Sequence, residues 1–221
     1  MAPHPDDEVL GCGGLISKLQ SQGCKIYVLY FSLGALREFS PLSSVGLATR
    51  LAELEKCAKF LKYSDYHLAF PPQKSLYLDP VGMREVIHAI SDNESGVSLA
   101  KLKPGLVLLP SPHASHQDHR LVAQAAISAL KPQKGPVPIV LVYEESTDQW
   151  TEGNPIKPDF FITLTEAQLR AKVTALGIYK SQLQTKGQGR NTQTVTALAR
   201  LRGSLIGTNL AEAYQTLRVI I

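Results

Sequence analysis

Cysteine is scarce in this chain, and that scarcity removes two kinds of architecture. Cys12, Cys24 and Cys57 are odd in number and unclustered. They make neither a disulfide framework nor a thiolate zinc site, and buried free thiols are the plainer reading. Long apolar runs are missing as well: none reaches the ~18–20 residues that span a bilayer. Residues 1–8 (MAPHPDDE) carry neither a basic end nor an apolar stretch, so a secretory signal is not expected there and a cytoplasmic location is. No dense basic run or basic–aromatic stripe is present, which argues against nucleic acid as a partner. Internal repeats and low-complexity segments are also lacking.

What is present is an ordinary globular balance: 221 residues, 44% apolar and 19% charged. That length suits one domain over residues 1–221. The net charge of +4 is unevenly spread. Residues 151–221 hold nine Lys/Arg against four Asp/Glu, a local +5, which leaves −1 to the rest. A basic C-terminal third favours an anionic small molecule, although a solvated basic surface explains it equally well. A homo-oligomer is compatible with all of this.

Apolar strand-like runs alternate with helix-like periodicity, the pattern of an α/β layered sheet. Residues 25–31 (KIYVLYF), 66–70, 106–109 and 139–143 read as strands. Leu47, Leu51, Leu54, Ala58 and Leu61 step by four and three along one helix face. Residues 79–93 read as a helix with Pro80 in its first turn. A further helix runs over 118–130, and Thr165 caps another. Residues 184–195 are polar and read as a mobile loop, and the stretch from there to Ile221 as partly helical.

Two segments carry chemistry. The first is His4-Pro5-Asp6-Asp7-Glu8, followed by Gly11-Cys12-Gly13-Gly14; the second is His116-Gln117-Asp118-His119, shortly after the strand at 106–109. His4 and Asp7 are three apart, as are His116 and His119, a spacing that puts two side chains on one face of a helical turn. Imidazole and carboxylate are ordinary zinc donors, and three of them with one position left open mark a catalytic site. Each segment alone has a bland explanation. Acids at a helix start are favoured by the helix dipole, and an HxDH tetrapeptide arises by chance. The two together, both at loop-to-helix transitions, are far more specific. The glycines lack the GxGxxG spacing and the Lys-Ser/Thr of a P-loop, so close helix–sheet packing suits them better than a phosphate cradle.

APHPDDEVLGCGG and HQDH resemble the two signatures of the LmbE-like (PIG-L) zinc-dependent N-acetylglucosaminyl deacetylases. Arg50-x-x-Glu53, Tyr179-Lys180-Ser181-Gln182 and Arg202-Gly203 resemble later segments of the same family. The resemblance implies a Rossmann-like three-layer α/β/α fold with a mostly parallel sheet, its N-terminal strand cut short because only Met1-Ala2-Pro3 precede His4. It implies that His4, Asp7 and His119 hold Zn2+ or another divalent ion. Asp6 is then the general base toward the zinc-held water, His116 the oxyanion stabiliser or acid, and Asp118 the partner that orients a motif histidine. The implied reaction removes an N-acetyl group from a small amino-sugar conjugate. Arg37, Arg50 and His113 are candidates for contacting substrate. His67, His88 and Trp150 are read as structural or exposed. Two alternatives stand beside this reading: a metal-dependent hydratase of a small unsaturated acid on the same scaffold, and a non-catalytic metal-binding member.

Overall fold

The computed structural model describes residues 1–34, 46–71, 78–135, 137–147, 156–184 and 188–221. Arg37 and Trp150 lie outside the described residues.

Two short stacks of strands form the middle layer. β1 (Tyr27–Tyr30) pairs in parallel with β2 (Asp65–Leu68). β3 (Leu106–Leu109) pairs in parallel with β4 (Ile139–Tyr143). β1, β3 and β4 are rich in Val, Leu, Ile and Tyr, as strands covered on two faces require, whereas β2 at the edge is at most half-buried. The second sheet then turns antiparallel. Its order is β3-β4-β6-β5, with β5 at Phe160–Thr163 and β6 at Ala211–Val219.

Helices cover both faces. On one side lie α1 (Asp7–Ser21), α2 (Leu47–Phe60), α6 (Glu166–Ile178) and α7 (Thr192–Ser204). Their apolar residues meet Tyr30, Leu141, Tyr143 and Tyr214 of the sheet. On the other side α3 (Met83–Ser91), the single turn α4 (Leu99–Leu102) and α5 (Gln117–Ala129) pack on Phe31, Val107, Leu109 and Val142. The expected three-layer α/β/α arrangement is therefore present, with its parallel half around β1 and β3.

Residues 1–3 run between β1 and β3. Ala2 bridges Tyr30 in parallel, its N–H donating to Leu29 O at 2.9 Å, and the Met1 ammonium donates to Leu108 O at 2.9 Å. Three residues thus make the strand-like contact where the sequence led us to expect a short N-terminal strand. Beside them, toward the amino ends of β1 and β3, is a cavity of about 550 Å3 lined by Met1, Val28, Ile90, Leu102, Leu106 and Leu108, among others.

The glycines of α1 are there for packing. A side chain at Gly11 would overlap the Tyr143 ring, and one at Gly14 would meet Leu164 and Glu212. Two expectations need correction, and a third, the partly helical last stretch, gains a strand. Helix α3 starts at Met83, so Pro80 sits in the turn before it. The polar stretch after residue 184 already enters α7 at Thr192, whose first turn is capped by Asn191 accepting from Thr194 N–H at 2.9 Å. The chain then ends in the nine-residue strand β6, so only the first part of the last stretch is helical. No helix among the described residues is long and apolar enough to cross a membrane.

Candidate metal centre

Both motifs land at the carboxyl ends of parallel strands, where ligands sit in open α/β sheets. Pro3 O accepts from Ser32 N–H just past β1, which places His4 at that end of the sheet, and α1 begins three residues later. The second motif follows β3. His116 caps α5, its Nδ1 accepting from Asp118 N–H at 3.1 Å. One turn further along, His119 faces the first motif.

Asp7 is the hub. Its Oδ2 lies 3.3 Å from His4 Nδ1 and 3.2 Å from His119 Nε2, and it also accepts His4 N–H at 2.8 Å. All three side chains are buried. Donors held about 2.0–2.1 Å from a tetrahedral ion stand roughly 3.3–3.4 Å apart, and the two nitrogen–oxygen separations match that edge. Asp7 Oδ1 is buried without a hydrogen-bond partner among the described residues, which a cation would remedy. These residues fit a divalent ion.

A second grouping, His4 with His116 and Asp118, also offers three donor atoms close together. Its His4 Nε2–Asp118 Oδ2 separation is 2.9 Å, a hydrogen-bond length rather than a coordination edge. The two groupings are therefore successive layers of one site. His4 turns Nδ1 toward Asp7 and donates Nε2–H to Asp118, the carboxylate–imidazole relay that fixes tautomer and orientation in metal sites.

Asp6 stands beside this cluster and belongs to neither donor grouping. It precedes α1 with φ at 117°, a left-handed backbone that costs a non-glycine residue about 1–3 kcal/mol and gathers at functional sites. Its Oδ2 is 3.4 Å from Arg190 Nε. Burial pushes the Asp6 carboxyl up to about 6, against the downward pull of Arg190. Asp7 goes the other way: burial raises it, but His119 and His4 hold it well below the ordinary carboxylate range. Burial also lowers His4, yet its bonds to Asp118 and Asp7 prevail and leave it raised. His116, the most exposed of the motif residues named here, is lowered to about 4 by burial and by His4 and His119. It is therefore neutral near pH 7. With Nδ1 accepting, its proton sits on Nε2, leaving a neutral N–H donor.

Of the proposed substrate-contacting residues, Arg50 reaches the site from α2. It is 4% exposed, its charge acts on Asp6, and a side chain at Gly34 would press on Arg50 and His4 together. Gly34 also has φ at 72°, so glycine suits that position twice over. His113 is exposed and in neither donor grouping. Three residues were not singled out in the sequence. Arg190 comes from the polar stretch before α7. Glu145, just past β4, faces His119 Nδ1 at 4.0 Å. Glu8 accepts Asp6 N–H at 3.0 Å. Only Glu8 carried a signal, as the third acid of the first motif.

The fold and the donor cluster define a class, the open α/β proteins with a buried imidazole–carboxylate metal centre. Residues 1–130 match the PIG-L family, GlcNAc-PI de-N-acetylase, and the chain belongs to that family. Diacetylchitobiose deacetylase from Thermococcus kodakarensis is 32% identical over 134 residues, which is 58% of this chain and 46% of that protein. The chain thus matches less than half the length of this relative. Among solved structures, a conserved protein from Thermus thermophilus superposes with a TM-score of 0.73 at 23% identity, over 100% of this chain and 94% of the other. The N,N'-diacetylchitobiose deacetylase from Pyrococcus horikoshii does so with a TM-score of 0.70 at 20% identity, over 98% and 81%. At these identities the likeness shows the fold.

Proposed function

We propose that this protein is a zinc-dependent hydrolase that removes the N-acetyl group from an N-acetylglucosamine-type conjugate, a small-molecule substrate met in the cytoplasm. Family membership supports an amide as the bond cleaved. The observation that carries the chemistry is the placement of Asp7 between His4 Nδ1 and His119 Nε2, with Asp6 adjacent but outside the donor set.

His4, Asp7 and His119 would hold the ion, and two nitrogens with one oxygen suit zinc among divalent metals. A divalent ion supplies Lewis acidity at this position and brings the pKa of water it holds down to about 7. Asp6 accepts the proton lost by the attacking water. Its burial keeps it a stronger base than an exposed carboxylate, and it is free to do this because its oxygens are not donors to the cluster. His116 Nε2–H points a neutral hydrogen bond at the charge growing on the amide oxygen. Asp6, now protonated, returns its proton to the amine nitrogen as the C–N bond breaks. Arg50, Arg37 and His113 contact the sugar or its anionic substituent. The hydratase alternative would use the same cluster but has no need of a proton delivered to nitrogen.

Metal analysis combined with an amine-release screen over N-acetylated amino sugars tests this reading. The parent should carry one zinc ion per chain and release free amine. Asp6→Ala should keep its ion and lose about 10²–10⁴-fold in turnover, whereas His119→Ala should lose the ion as well. Equal loss of metal from both variants would contradict the division of roles.

A further inference from the structure

Glu8 is a buried carboxylate that the reaction above leaves without a task. It is 4% exposed and both of its oxygens are engaged. Oε2 accepts the backbone N–H of Asp6 at 3.0 Å. Oε1 accepts Tyr179 Oη at 2.7 Å and Tyr63 Oη at 3.2 Å, with Cys57 Sγ at 3.9 Å. Tyr63 follows α2 and Tyr179 closes α6. Two distant segments therefore fix the carboxylate, and the carboxylate fixes one peptide N–H.

That N–H belongs to a residue whose φ of 117° only a strong local tether would hold. The other side of Asp6 is already tied down, since its C=O accepts from Val9 and Leu10 N–H at the start of α1. With the carbonyl set by the helix, the remaining freedom at Asp6 is rotation about its N–Cα bond. The Glu8 contact stops that rotation. Moving φ into the ordinary negative range would turn the Asp6 carboxylate relative to the His4–Pro5 segment that precedes it, while His4 stays bonded to Asp7 and Asp118.

We propose that Glu8 is a positioning residue: by accepting Asp6 N–H it locks the left-handed backbone that aims the Asp6 carboxylate at the water and amide held beside His4, Asp7 and His119. This rests on the reading of Asp6 as the proton acceptor. Glu8 itself touches neither substrate nor ion.

The test uses the metal-loaded chain and three variants, Glu8→Ala, Glu8→Gln and Tyr179→Phe, with three readouts: ion affinity, the separate values of kcat and KM for amine release, and hydrogen exchange of the Asp6 amide. Glu8→Ala should hold its ion within about threefold of the parent affinity, expose the Asp6 amide to exchange at least about tenfold faster, and lower kcat by about 100-fold with KM little changed. Glu8→Gln, whose amide oxygen still accepts Asp6 N–H, should restore slow exchange and bring kcat back to within about fivefold of the parent. Tyr179→Phe loosens the anchor only, so its changes should be smaller and in the same direction. Unchanged Asp6 exchange in Glu8→Ala, or a Glu8→Gln no better than Glu8→Ala, would overturn the proposal. Should Glu8→Ala fail to fold, an unchanged kcat and exchange rate in Tyr179→Phe would overturn it equally. If the parent releases no amine, the reaction assigned above fails, while the exchange data still decide whether Glu8 holds Asp6.

Discussion

Asp118 shows how much of the centre depends on residues that bind nothing themselves. Its Oδ2 holds His4 Nε2 at 2.9 Å, and its backbone N–H sets the His116 ring through Nδ1. Burial raises its carboxyl, but the bond to His4 prevails and leaves it lowered, so it meets the imidazole as an acceptor. Asp118→Ala should weaken zinc binding by about 10–100-fold without removing a ligand. Competition against a chromophoric chelator would measure this, and an unchanged affinity would mean that the relay is idle. At this scale the sequence was informative where the chemistry is local. The pairing of His4 with Asp7 was legible from their spacing, although a turn through the left-handed Asp6 joins them rather than a helix, and of the second motif only His119 joins that donor set while His116 caps α5. Arg190 was not legible. It meets Asp6 across 184 positions, from a polar stretch with no periodicity, and only the packing of α7 brings it there.

The elements that carry the motifs are held by close packing rather than by propensity. Helix α1 bears three glycines near its start, each about 1 kcal/mol poorer than alanine as a helix former. Tyr143 occupies the space a side chain at Gly11 would need. Overpacking of this kind costs about 1–3 kcal/mol, so it outweighs the gain in helix propensity. Gly11→Ala should therefore lower stability by about 1–2 kcal/mol net in urea denaturation; a more stable variant would contradict the packing account. Thr165 was readable as a cap because its partner Gln168 is three residues on, and the two form a reciprocal capping box. β6 was not readable. Its buried first half runs Ala-Glu-Ala-Tyr, and a carboxylate in that position breaks the apolar signature of a strand. Glu212 is tolerated because Gly14 and Leu15 N–H, Lys172 Nζ and Tyr214 Oη all donate to it. All of those donors but Tyr214 come from distant parts of the chain, so little near residue 212 announces them.

Across the whole molecule, the sheet supplies the meeting point. β1 and β3 flank residues 1–3, which deliver the first motif to the spot where the carboxyl end of β3 delivers the second. The alternation of strands and helices was enough to expect this α/β arrangement and to place the chemistry beyond the strand ends. The switch to antiparallel pairing at β6 and β5 was not foreseeable, because it depends on which edge the last strand joins after α7. The central claim is that segments more than a hundred residues apart share one ion through His4 Nδ1, Asp7 Oδ2 and His119 Nε2. Anomalous diffraction at the zinc edge from crystals of the zinc-loaded protein tests it most directly. The account predicts one peak about 2.0–2.2 Å from each of those three atoms, with Asp6 outside coordination distance. A peak centred instead on His4 Nε2, His116 and Asp118, or none near either motif, would contradict it.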